Sequence, residues 1–245
     1  MEIAKTDKRA SENGNVIIII LIAVALVAAL TFAVSQGTRS GSENLSGQQA
    51  DLAALEILDY ASTIRNNVRQ LKISGCDDTE ISFETGALEG YDNPDSPDDF
   101  SCHVFHPNGG GMVYLKPNLK ALDIVYEDEE DLFFGEWSFF GRHCISEVGN
   151  CPDNSHLIAS LSQVQNNVCE KINERNNIES IGLPKENWNV SRSALSAFIG
   201  NYVDIPEPDK EIEEESLNGK LFGCFQDNEG PGEGQNIFYQ VLIVR

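Results

Sequence analysis

The chain has 245 residues, of which 41% are apolar, and carries 39 acidic against 17 basic side chains for a net charge of −22. That apolar content is too high for a disordered polymer, and such a charge excludes nucleic acid and anionic membrane surfaces as electrostatic partners. Basic proteins or divalent cations suit it better.

From the amino terminus, residues 1–14 balance Glu2, Asp7 and Glu12 against Lys5, Lys8 and Arg9. Residues 16–34 then hold no charge and a single hydroxyl, Thr31. As a helix they would span roughly 28 Å, close to a bilayer's hydrocarbon thickness. Bases precede this run, while Arg39 is the only one between it and Arg65, so the expected topology is single-pass in the inner membrane with the rest periplasmic or extracellular. Small residues Ala33 and Ser35 before Gln36 also imitate a signal-processing site, although the apolar run is long for a secretory signal. Small side chains at Ala25, Ala28, Ala29 and Ala33 would let another helix approach closely.

Glycines 37, 41 and 47 predict a bend over residues 36–47. Ser46 with Gln49 has capping-box spacing. An amphipathic helix is expected from there to Ile73, with Ala50, Ala54, Ile57, Ala61, Ile64, Val68 and Leu71 forming a heptad seam, and Gly75 and Cys76 ending it. The seam can cover the protein's own core or pack on a neighbouring subunit. Beyond it, short strands are predicted at 81–83, 102–105, 112–115, 124–126, 132–134 and 137–140, separated by turn-rich segments. A helix is predicted to open at Asp153 or Ser155, with Leu157, Ile158, Leu161, Val164, Val168 and Ile172 on its apolar face. A shorter helix is expected over 191–199 and a surface loop over 206–215. A hairpin pairs 220–226 with 236–244, whose second strand is apolar on both faces and therefore central.

All six cysteines lie after the apolar run. An even count there implies disulfides. Cys144 with Cys151 is the expected pair by proximity, and Cys76 with Cys102 and Cys169 with Cys224 follow by order along the chain. The competing zinc reading, from His143, Cys144, Cys151 and His156, has no usual metal-ligand spacing.

The fold expected is α+β: a long N-terminal helical stem, transmembrane then amphipathic, followed by a disulfide-bonded antiparallel-sheet domain with covering helices. Its parts are a leader (1–14), the apolar helix (15–36), the amphipathic stem (37–75) and a head (76–245).

This order of parts, with Gly14 ending a basic leader before the apolar helix, resembles that of type IV pilins and pseudopilins. The resemblance implies cleavage between Gly14 and Asn15 and assembly through the helix with other pilin-like stems or envelope proteins. Asn15 and Ile19 stand where that family usually has an aromatic or Met and a Glu. Some minor pseudopilins also lack the Glu.

Motifs for nucleophilic, zinc-protease or phosphate-binding chemistry are absent from the sequence, which points away from an enzyme. Gly109, Gly110 and Gly111 suggest a flexible turn, and His103 with His106 would point to opposite faces of a strand. Asp92, Asp95, Asp98 and Asp99 cluster in a Pro-rich loop that could take calcium, weighed against a solvated loop; the acidic run 127–131 suggests a solvated turn. No other cofactor is expected. The function expected is a structural, non-catalytic, membrane-anchored subunit; the alternative is a monomeric anchored binding module for a cation or an envelope partner.

Overall fold

The computed structural model describes residues 13–124, 134–188, 197–203, 211–228 and 233–245, and within residues 13–46 the side chains of only a few positions. The expected strands at 124–126 and 132–134, the acidic run, and the helix over 191–199 fall wholly or largely outside these residues. The chain divides into two compact units, Met1–Gln48 and Gln49–Arg245.

Helix α1 is Asn13–Ile73, and its assignment continues through residues 36–47, where a bend was expected. A glycine weakens a helix without forbidding it, and neither Ser46 nor Gln49 starts one. The expected stem, transmembrane and then amphipathic, is corrected by the structure. Among the described residues no helix is long and apolar enough to cross a membrane. The unit boundary also falls inside α1, so residues 49–73 belong with the sheet rather than with a separate stem.

In the larger unit, the seam residues Ala50, Ala54, Ile57, Ala61, Ile64, Val68 and Leu71 are all buried in one cluster with the sheet. Of the two uses the sequence allowed, the seam covers this unit's own core. The helix ends as a Schellman motif: the Gly75 N–H donates to the Lys72 carbonyl and the Cys76 N–H to that of Leu71, with Gly75 at φ 109°.

Among the described residues seven strands follow: β1 (Trp137–Phe140), β2 (Cys144–Ile145), β3 (Leu157–Ser162), β4 (Lys185–Glu186), β5 (Glu211–Ile212), β6 (Phe222–Asp227) and β7 (Asn236–Ile243). The main sheet has the order β1-β3-β7-β6-β4, and β2 pairs separately with β5. The expected antiparallel sheet is corrected to a mixed one, since β4 runs parallel to β6 and β2 parallel to β5. As its composition implied, β7 is central, and all eight of its residues are buried.

The largest local difference is at residues 157–172. The predicted helix is instead strand β3 followed by helix α2 (Asn166–Arg175). Leu157, Ala159 and Leu161 join the cluster beneath the helices, whereas Ile158 joins the opposite one. Period-two burial against β1 and β7 overrode the helical spacing on which the sequence reading relied.

The expected strands at 81–83 and 102–105 reduce to one isolated bridge, Ser82 to His103, and residues 112–115 are extended without a ladder. Side chains replace strands at this edge of the sheet. The Trp137 N–H donates to the Tyr114 hydroxyl (3.1 Å), the Phe139 N–H to the Tyr91 hydroxyl (2.9 Å), and the Phe139 carbonyl accepts from the Phe198 N–H. Edge strand β1 is thereby closed to a further strand.

Each sheet face is covered. One carries α1, α2 and a cluster centred on Phe83, Phe139 and Phe238; the other carries Phe140, Trp188, Phe225 and Tyr239 beneath loops and the β2–β5 pair. The disulfides are Cys76–Cys102, Cys144–Cys151 and Cys169–Cys224, the pairing expected from chain order, with Cα separations of 5.8, 5.5 and 5.3 Å. Cys169 ties α2 to β6, and Cys76 anchors the end of α1.

Candidate functional site

Among the described residues a concavity of about 320 Å³ lies between α1 and residues 115–121. Ala53, Ile57, Tyr60, Leu115, Ala121 and Trp137 supply its apolar surface; Glu56, Asp59, Thr63, Lys116 and Asn118 supply its polar part. Helical spacing builds the first wall, since positions 53, 56, 57, 60 and 63 lie one turn apart along one flank of α1.

Tyr60 fixes the opposite wall. Its hydroxyl accepts from the Leu115 N–H (2.8 Å) and donates to the Val113 carbonyl (3.2 Å), pinning an extended segment more than 50 residues away. Burial pushes the Tyr60 hydroxyl pKa up, against the lowering effect of its backbone hydrogen bond with Leu115. Its ring centroid lies 5.4 Å from that of Trp137, which packs edge-on to Phe238 from behind. The Trp137 indole N–H is buried and has no hydrogen-bond partner among the described residues. Lys116 pairs with Glu136 at 2.7 Å, which neutralises the basic part of the rim. Sequence reasoning missed this groove because its walls are about 60 residues apart; the one local signal was Tyr60 on the flank of the heptad seam.

Among the described residues no three His, Cys, Asp or Glu side chains are arranged to hold a metal ion. Asp92, Asp95, Asp98 and Asp99, where calcium was weighed against a solvated loop, are all exposed. The loop is held by buried Asn93, whose side-chain amide donates to the Thr79 and Ile81 carbonyls (both 2.9 Å) while its oxygen accepts from the Asp95 N–H. Asp99 accepts from the Ser101 N–H, and hydrogen bonding from Ser101 holds its carboxyl below the usual range. An uncharged amide orders this loop.

The zinc alternative fails, because Cys144 and Cys151 are bonded to each other. His143 is fully buried, stacked on Trp188 at 4.5 Å and edge-on to Phe140. Neither of its ring nitrogens has a hydrogen-bond partner among the described residues, and burial pushes its pKa down to about 3. His156 is elsewhere engaged, with Nε2 3.1 Å from the Val148 carbonyl and Nδ1 accepting from the Arg245 N–H.

His103 and His106 sit on a turn rather than a strand, and both pack on Phe100, which adopts a left-handed φ of 61°. The three glycines beyond them form a tightly packed turn, not a loose one. A Cβ on Gly109 would strike the Phe100 and His103 backbone, and one on Gly110 would strike Asn67, whose amide donates to the Gly110 carbonyl at 2.7 Å.

The remaining helix-packing candidates divide by unit. Ile57, Ile64, Val68 and Leu71 are core residues, whereas Ala28, Ala29, Ala33, Gly14 and Asn15 have side chains outside the described set and Ala25 is exposed. Comparison with family models, with curated proteins and with solved structures finds no match to this chain.

Proposed function

We propose that this protein is a non-catalytic structural subunit of pilin-like plan, exported so that its disulfide-braced unit of residues 49–245 works outside the cytoplasm and its N-terminal segment mediates assembly. The carrying observation comes from the smaller unit. Ile18, Ile20, Leu21, Ile22 and Val24 are each 55–64% exposed, and residues 16–34 place no charged side chain on any face of a helix. A helix apolar on every side needs an apolar covering, which like segments of neighbouring copies supply at little net hydrophobic cost. Three disulfides support an oxidising compartment.

The test is mass spectrometry of the native chain's mature amino terminus, together with cross-linking of an Ala25→Cys variant between copies. A terminus at Asn15 and cross-linked oligomers support the reading. Termini at Met1 or Gln36 with no cross-link overturn it. A monomeric binding module is the second reading, favoured by the groove between α1 and residues 115–121.

A further inference from the structure

We infer that the groove between α1 and residues 115–121 is a docking site for a basic peptide segment, one apolar side chain entering the cavity and flanking Lys or Arg side chains meeting the α1 rim. Charge complementarity identifies the occupant. Glu56 and Asp59 line the groove, and neither has a basic partner among the described residues. The only cation in the lining, Lys116, is already held by Glu136 at 2.7 Å, so the rim presents uncompensated negative charge.

Beyond the cavity the apolar surface continues. Leu52 lies one turn before Glu56 on the same flank and is 61% exposed, and Leu115 on the facing wall is 56% exposed. An apolar patch rimmed by acids suits a segment that brings both apolar and basic side chains. At about 320 Å³ the cavity is near the lower end of the usual range for ligand sites, room for a large side chain rather than for a polycyclic ligand. The other occupants fit poorly. At this acidic rim the acidic unit of a second copy and an anionic lipid surface would both meet repulsion, which leaves contacts between the uncharged N-terminal segments unaffected. None of this depends on whether the N-terminal segment assembles.

The test pans the full oxidised chain against a displayed library of random peptides, then titrates the enriched peptide by calorimetry. The expected peptides carry Leu or Phe with neighbouring Lys or Arg. Their affinity is expected to fall at least tenfold in the double variant Glu56→Lys, Asp59→Lys and in Leu115→Asp, and to weaken with added salt, while the variants melt at the wild-type temperature. The tryptophan that responds should be Trp137, read as the indole N–H resonance retained in Trp188→Phe. Absence of enrichment, enrichment of acidic or uncharged peptides, or an affinity changed less than twofold in variants that melt normally would overturn the inference.

Discussion

The two faces of the central sheet are built from different materials. Beneath α1 and α2 the cluster is apolar and aromatic, with Phe83 stacked on Phe139 at 4.0 Å, and its helices are tied by Cys169–Cys224 and Cys76–Cys102. The opposite face lies under loops and two-residue strands, and it buries groups that titrate. Besides His143, it contains Glu186, whose carboxylate accepts the Glu214 N–H, and Asp227, which accepts the Trp188 N–H at 3.1 Å. A helix satisfies its own backbone and can present an apolar stripe, whereas short loop strands need side chains to satisfy theirs. Polar burial is therefore concentrated where regular structure is sparse.

The sharpest way to break this contrast is to empty the helix-covered face. Phe139→Ala removes a ring that contacts Phe83, Tyr91 and Phe105 and should destabilise the fold by about 4 kcal/mol, read by urea denaturation. The disulfides extend the comparison to the unfolded state. On chain-entropy grounds, replacing Cys169 and Cys224, 55 residues apart, should cost about 4 kcal/mol, and replacing Cys144 and Cys151, seven apart, about 2.5 kcal/mol. Equal losses from the two pairs would show that loop closure does not set their contribution.

A smaller effect is expected at the turn beneath α1. Gly110→Ala should cost roughly 2 kcal/mol, because the added Cβ must displace Asn67 from its bond to the turn. A neutral result would mean that the turn is not held against the helix.

The loop-covered face should reveal itself by pH. Burial raises the Glu186 carboxyl from 4.5 to about 7, so the folded state retains a proton that the unfolded state releases; stability from this group is full below about pH 4.5 and is lost as pH rises towards 7. His143 acts in the opposite sense. Its pKa is lowered from 6.5 to about 3, chiefly by burial, so its contribution is full above about 6.5 and is lost as pH falls towards 3. The two slopes oppose each other between about pH 4.5 and 6.5. Glu186→Gln should leave the His143 slope alone, and the stability difference between variant and wild type should shift in favour of the variant as pH rises from 4.5 to 7. A pH-independent difference would show that Glu186 titrates normally in the fold.

Much of the framework could be read from residue order. The heptad seam marked the face of α1 that packs on the core, the doubly apolar run at 236–243 marked the central strand, and an even cysteine count beyond the apolar segment marked the bridges. Residues 157–172 could not be read in this way. Their apolar spacing satisfies both a helical and an alternating template, and pairing with β1 and β7 selects between them. The mixed sheet was also hidden, since two-residue strands such as β4 and β5 carry no periodicity at all. The ordering of the acidic loop was not legible either: carboxylates close in sequence need not converge, and Asn93 holds the loop through the Thr79 and Ile81 carbonyls.

By itself, residue order determined the net charge, the apolar N-terminal run, the sulfur framework and the central strand, because each follows from composition or from local spacing. Tertiary structure alone decided the direction of the short strands, the sealing of the β1 edge by tyrosine hydroxyls, the burial of His143 and the groove with Tyr60 and Trp137. These depend on contacts between segments tens of residues apart, whose free energies appear only once the chain has closed on itself.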